Sequence, residues 1–280
     1  MAQHNIVTPE QSELGKKTPY DAHYNPDKLF PIPRKEKRDE IGVPTKLPFF
    51  GFDLWNHYEV SWLNEKGKPI VAVAEISYDC ASLCIIESKS MKLYFNSFNN
   101  TQFKDVATVQ AVVKKDIEER VSGLVSVKIT PLDQLQSDTL FVGFKGLCLD
   151  ALDVTCSSYV VAPTYLTTQD KVVDEVLYSN LLKSNCLVTN QPDWGSVEIA
   201  YKGKEINREG LLRYIVSFRN HNEFHEQCIE RIFMDIMQHC QPDELTVYGR
   251  YTRRGGLDIN PYRSTNPLPQ NVRNSRLYRQ

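Results

Sequence analysis

The chain has 280 residues, with 33 Lys and Arg against 35 Asp and Glu and a formal net charge of -2. That length suits two ordinary domains or one large one and buries enough apolar surface to need no disulfide or metal staple. The near balance of charge argues against a globally basic nucleic-acid coat and favours a small or locally recognised partner. No apolar run approaches the ~20 residues that span a bilayer. The opening MAQHNIVTPEQSELGKK lacks the apolar core of a secretory signal, so a cytoplasmic protein is expected. Seven cysteines occur with no C-x-x-C pair, which predicts free thiols, most of them packed as small apolar groups.

In chain order, residues 1 to about 47 are polar and carry Pro9, Pro19, Pro26, Pro31, Pro33 and Pro44. They read as an extended arm over a folded body, or as partly disordered. Regular structure is expected from near Tyr58: YEVSWL reads as a strand, Gly67 and Pro69 turn the chain, and IVAVAEIS completes a hairpin. Val109, Val112, Val113 and Ile117 give Thr108 to Val121 one apolar helical face, and SVKITPL returns to strand. Polar stretches near Ser137 and from Thr164 to Asp170 separate the two halves. A short helix is expected around Asp170 to Lys183, leading to Cys186, and then a strand over GSVEIAYKG. Asn207 can cap a helix through Leu211, Leu212, Ile215 and Val216. A second helix runs from about Glu223 to Cys240 and stops at Pro242, before the strand LTVYGRYTRR. Each half mixes strands and helix in one order, so two similar α+β modules are predicted.

Several segments could carry chemistry. LLKSNCLVTNQPDWG places Cys186 seven residues before Asp193 across turn-forming sequence, which suits a thiol nucleophile with a proton-transfer partner, although spacing alone favours an inert half-buried cysteine because free cysteines mostly pack. His225 falls in line with Cys228, Ile229 and Ile232 and faces either the core or a pocket wall, with Glu226 beside it. His225-x-x-Cys228 and His239-Cys240 lack further ligands at metal-site spacing, so no metal is expected. ESKSMKLYFNSFNNT reads as a phosphate- and ring-binding loop or an ordinary strand-to-helix connection. Arg250, Arg253 and Arg254 crowd beside Gly255 and Gly256, a pairing of bidentate cations with open backbone that suits an anion. No G-x-G-x-x-G follows a strand, so a nicotinamide cofactor needs a site of another type. Two rivals remain: a zinc-dependent cyclohydrolase-like enzyme, which lacks ligands here, and an RNA-binding module suggested by Arg263, Arg273, Arg276 and Arg279.

These same segments carry a resemblance. ESKSMKLYFNSFNNT, SNCLVTNQPDWG, FRNHNEFHEQCIERIF and YTRRGGLDINP, in that order, resemble the motifs of the 7-cyano-7-deazaguanine reductases of the queuosine pathway, in the long type found in proteobacteria. The likeness runs from about Leu47 to the C-terminus. It implies tandem tunnelling-fold (T-fold) modules, antiparallel sheets with helices packed on one face. An N-terminal arm would cover 1–46, a first module 47–160 and a second 161–280, with subunits paired as a homodimer. It implies NADPH-dependent reduction of the nitrile of 7-cyano-7-deazaguanine to an aminomethyl group, two NADPH per product, as a step toward queuosine in tRNA. Cys186 would be the nucleophile that forms a thioimide, Asp193 the proton donor and His225 a further catalytic group. Ile86, Glu87, Ser88, His225 and Glu226 would contact substrate, and Ser88, Lys89, Arg254 and Gly255 would line the NADPH site. Neither a metal, a nucleic-acid partner nor a membrane is implied.

Overall fold

The computed structural model describes Gln11, Asp21 and residues 23–134, 143–268 and 274–280. The polar stretch near Ser137, Arg273 and most of the first 22 residues lie outside the described residues. In chain order the elements are β1 (Pro31–Pro33), α1 (Lys35–Glu40), β2 (Phe50–Leu63), β3 (Pro69–Asp79), β4 (Cys84–Ile86), α2 (Ser88–Asn96), α3 (Val106–Val121), β5 (Val125–Pro131), β6 (Leu147–Cys148), β7 (Thr168–Ser179), β8 (Lys183–Asn185), β9 (Pro192–Ile206), α4 (Arg208–Ser217), α5 (His225–Cys240), β10 (Glu244–Tyr251) and β11 (Leu257–Ser264). The expected α+β class is the class found. The strand pairs β3–β5, β7–β9, β9–β10 and β10–β11 are antiparallel, and the short β6–β7 pair is parallel.

Two compact units divide the chain. The first comprises Met1–Glu36, Leu54–Gln136 and Arg254–Leu257. Its strands run in the order β5-β3-β2. The helix α3 lies against β5 and buries Val109, Val113, Ile117 and Val121, which recur at helical spacing on one face. Asp105 caps its start by accepting from the Thr108 amide, and Ser122 closes it in the left-handed region at φ 53°. The turn between β2 and β3 uses Gly67 at φ 76°. Ahead of them, β1 pairs with β4 from Pro31↔Ile86 to Pro33↔Cys84.

The second unit comprises Lys37–Asp53, Ser137–Arg253 and Asp258–Gln280, with strand order β11-β10-β9-β7-β6 and β8 paired to the start of β9. The helix α5 packs on β10 through Cys228, Ile229, Ile232, Phe233 and Ile236, all buried. That close seating needs Gly249, because a Cβ there would stand 2.7 Å from the Ile229 side chain. Gln241 ends the helix in the left-handed region at φ 49°, immediately before Pro242. Asn207 caps α4 as expected, its Oδ1 accepting from the Gly210 amide at 2.8 Å.

Three expectations are corrected. Residues 168–179 form the strand β7 rather than a short helix. Their pairing with β9 is continuous from Val172↔Lys204 to Ser179↔Val197, and β-branched Val172, Val173 and Val176 suit a pleated surface. Among the described residues a 3-10 turn at Pro26–Lys28 and the strand β1 from Pro31 already precede Tyr58, and the strand expected from Tyr58 starts at Phe50. The run GFDLW hides its strand character because Asp53 occupies a buried position, where Arg263 pairs with it at 2.9 Å. Finally, residues 88–96 form a helix rather than a loop, while the segment after Gly256, for which no element was expected, is the strand β11.

Candidate active site

The second unit holds Cys186, Asp193, His225 and Glu226. β8 and β9 pair as Lys183↔Trp194, Ser184↔Asp193 and Asn185↔Pro192. The Cys186 amide then donates to the Gln191 carbonyl at 2.9 Å, continuing the ladder one step. The turn beyond closes when the Asn190 amide donates to the Cys186 carbonyl at 3.1 Å, with Asn190 in the left-handed region at φ 55°. Side chains alternate across a strand, so Ser184, Cys186 and Asp193 share one face. Burial agrees: these three are buried, while Lys183, Asn185, Pro192 and Trp194 are half-buried or exposed. Cys186 itself is 3% exposed.

Residues 221–223 brace this turn. The Asn185 amide donates to the His221 carbonyl at 2.8 Å, and the Glu223 amide donates to the Asn185 carbonyl at 3.1 Å. Asn222 Nδ2 also donates to Asn190 Oδ1. Two residues further on, α5 begins with His225. Its Nε2 lies 3.7 Å from Asp193 Oδ1, and its ring meets Tyr251 edge-on at 4.1 Å between centroids. Tyr251 faces Gly195 across β9 and β10, and a Cβ at Gly195 would lie 3.1 Å from that ring. Glu226, 2% exposed, follows on the same helix turn. Behind them Glu223 is buried against His221 at 3.0 Å and Arg231 at 2.7 Å. Burial alone would raise its carboxyl, yet the two basic partners hold it below the usual range. Cys228, one turn along α5 from His225, differs sharply: burial pushes its thiol up to about 12.

The first unit holds Ile86, Glu87, Ser88, Lys89, Arg254 and Gly255. Ile86 ends β4, and Glu87 caps α2. One Glu87 oxygen accepts from the Lys89 amide at 2.7 Å and the other from the Ser90 amide at 2.8 Å. Burial pushes this carboxyl up, against those two amide bonds, which favour the charged form. The Ser88 hydroxyl also donates to the first of these oxygens at 3.5 Å, so only the oxygen bonded to the Ser90 amide retains an acceptor direction. Arg254 to Leu257 form a tight turn in which the Arg254 amide donates to the Leu257 carbonyl at 3.0 Å, with Gly255 at φ 61° and Gly256 at φ 80°. A Cβ on Gly255 would stand 2.9 Å from Lys92 Nζ. Lys92 lies one helical turn beyond Ser88 and Lys89, so an anion resting on the Gly255 backbone would meet its ammonium group.

Comparison with known proteins fits these segments. Residues 20–129 match the family described as "Nitrile reductase, 7-cyano-7-deazaguanine-reductase N-term", and residues 192–269 match "QueF-like protein". A protein of Legionella pneumophila (strain Lens), named NADPH-dependent 7-cyano-7-deazaguanine reductase, is 65% identical over 271 residues, covering 96% of this chain and 95% of its own length. This chain belongs to the 7-cyano-7-deazaguanine reductase family. A relative of the same name from Acidovorax ebreus (strain TPSY) is 55% identical over 279 residues, covering 96% of this chain and 99% of its own length.

For a 7-cyano-7-deazaguanine reductase family member, sequence reasoning gave no site role to four groups beside the expected residues: Lys92 near Gly255, Tyr251 beside His225, Asn222 on the Cys186 turn, and Ser184 opposite Asp193. Lys92 sits inside the quoted ESKSMKLYFNSFNNT motif, at i+3 from Lys89, and helical spacing alone was enough to single it out. The other three depend on strand register or ring packing, which no local pattern announces. Among the described residues no cluster of three or more His, Cys, Asp or Glu could hold a metal, and no helix is long and apolar enough to cross a membrane.

Proposed function

We propose that this chain reduces the nitrile of 7-cyano-7-deazaguanine to the aminomethyl group through a thioimide on Cys186, with Asp193 as proton carrier. The observation that carries this reading is the shared buried face of Cys186 and Asp193, with His225 Nε2 3.7 Å from the carboxylate. A nitrile carbon is electrophilic but poorly activated, and direct hydride attack would build charge on nitrogen. Sulfur addition gives a C=N carbon that accepts hydride more readily. A free cysteine titrates near ~8.5, so a base beside it raises the thiolate fraction.

Asp193 takes the thiol proton as sulfur bonds to the nitrile carbon. A C≡N electron pair moves to nitrogen, and Asp193 returns the proton there, which completes the thioimide. NADPH, when bound, supplies one hydride per reduction step and is used twice per nitrile. After the first hydride reaches carbon, nitrogen takes a second proton and the C–S bond breaks, leaving thiolate and an iminium carbon. The second hydride at that carbon gives the amine. His225 serves the later proton transfers. Burial of Cys186, Asp193 and Glu226 keeps water from hydrolysing the imine.

Glu226 offers two acceptors to the adjacent N–H donors of the guanine-like edge, and Glu87 uses its remaining acceptor direction for a further ring N–H. Ile86 and Ser88 flank that contact. For NADPH, the Ser88 hydroxyl, Lys89, Arg254 and the bare backbone of Gly255 form the anion-binding wall, joined by Lys92. The left-handed Gly255 and its approach to Lys92 suit a phosphate. On the same reading the protein is a cytoplasmic homodimer of tandem tunnelling-fold modules, 47–160 and 161–280, with an arm over 1–46. It acts on the free base rather than on nucleic acid, and its product serves queuosine synthesis for tRNA.

The test is stoichiometry. Purified protein with 7-cyano-7-deazaguanine and excess NADPH should consume about two NADPH per nitrile lost, and Cys186→Ala should consume none above background. One NADPH per nitrile, or undiminished turnover in Cys186→Ala, would remove the reading.

A further inference from the structure

Ser184 stands directly opposite Asp193 in the β8–β9 ladder, and both are buried. Opposed residues of an antiparallel pair bring their Cβ atoms to about 4.5–5.5 Å on the same face of the sheet. That distance places a serine hydroxyl within reach of the neighbouring carboxylate by one rotation about χ1. Ser184 is 0% exposed, and its Oγ has no hydrogen-bond partner among the described residues. A buried hydroxyl left unsatisfied is costly and uncommon, and such groups concentrate where a ligand or a catalytic step completes them. Cys186 follows two residues later on the same buried face.

We propose that Ser184 is a positioning residue for Asp193, its hydroxyl donating to the carboxylate while that group carries the thiol proton. This rests on the assignment of Asp193 as proton carrier. One Asp193 oxygen lies toward His225 at 3.7 Å. A donor from Ser184 turns the carboxyl group about its bond to Cβ and holds one oxygen for the thiol. When Asp193 is protonated, the serine yields its donor role and accepts, so the pair stays bonded through both states of the transfer.

His225 from α5 lies 3.7 Å from Asp193, while Lys183 on the opposite face of β8, the Cys228 thiol and the Tyr251 hydroxyl lie within electrostatic range of it. Ser184 differs from them in standing directly opposite Asp193 across the ladder, with an Oγ that has no hydrogen-bond partner among the described residues. A donor to the ionised carboxylate favours that form. Its loss therefore moves the acid-side limb of the pH profile upward.

The experiment follows the rate of thioimide formation on Cys186 by intact mass, without NADPH, as a function of pH in the parent, Ser184→Ala and Ser184→Thr. In Ser184→Ala the rate should fall roughly tenfold to a hundredfold, the worth of a hydrogen bond to a charged group. The acidic limb should move up while the thermal midpoint stays or rises, since an unsatisfied buried group has been removed. Ser184→Thr, which keeps the hydroxyl, should retain the parental limb. A Ser184→Ala rate and limb equal to the parent's would overturn the proposal. So would equal losses in Ala and Thr, which would assign the position to packing, or a lowered midpoint with an unmoved limb. If the parent itself forms no adduct, the assignment of Cys186 and Asp193 fails first, and the role of Ser184 falls with it.

Discussion

His57 illustrates how much a single side chain depends on its burial. It lies on β2 in the first unit, with its ring 4.5 Å from Phe95 and its Nδ1 accepting from the Glu59 amide at 3.1 Å. Burial, aided by the nearby Lys92 charge, pushes its pKa down to about 4. The folded-state value lies below the unfolded value of about 6.5, so between them only the unfolded chain takes up a proton. Stability is therefore full above about pH 6.5 and declines as pH falls toward 4. Between about pH 7.5 and pH 5, urea unfolding should show this residue removing roughly 2 kcal/mol. His57→Asn, which keeps an acceptor for the Glu59 amide, should lack that component. An identical pH dependence in the two proteins would contradict the assignment. At this scale the sequence was least informative about charged residues in the interior. Asp53, Arg263 and Glu230 are all buried, and Arg263 pairs with both acids at 2.9 Å. Binary patterning counts such residues as surface, which is why the start of β2 was placed late.

Among the elements, α5 and its seat on β10 matter most, because His225 and Glu226 open that helix. A methyl group at Gly249 would press on Ile229 at 2.7 Å. Gly249→Ala should cost about 1–3 kcal/mol of stability and lower kcat by shifting the helix that carries both residues. Adding Ile229→Val, which removes the Cδ1 methyl, should restore part of both losses. A double variant no better than the single one would refute this packing argument. The helices α3, α4 and α5 were legible because their apolar residues recur at helical spacing, with Asn207 marking the start of α4 and Pro242 the end of α5. β7 was not legible. Val172, Val173, Val176 and Leu177 sit at i, i+1, i+4 and i+5, a spacing that satisfies a helix template equally well. Pairing with β9, distant in sequence, decides the matter. α2 was obscured for another reason: its cap is a buried glutamate that lies inside the functional motif.

For the molecule as a whole, the division into units is discontinuous, and Arg254–Leu257 belongs with the first unit although its neighbours on both sides belong to the second. The local reason is the turn itself: Gly255 closes on Lys92, Gly256 closes on Glu59, and the Tyr58 amide donates to the Gly256 carbonyl at 2.8 Å. No continuous reading of the sequence could find such a division. The family, by contrast, was legible because four long motifs carry it in order. Register then adds what motifs omit, by setting Cys186 and Asp193 on one face with Ser184 beside them.

The most direct test is intact-mass analysis of the purified protein mixed with 7-cyano-7-deazaguanine and no NADPH. A mass increase equal to one whole substrate molecule, mapped to Cys186 and absent in Cys186→Ala, is the predicted result. An unchanged mass in the parent protein, or an adduct that persists in Cys186→Ala, would contradict it.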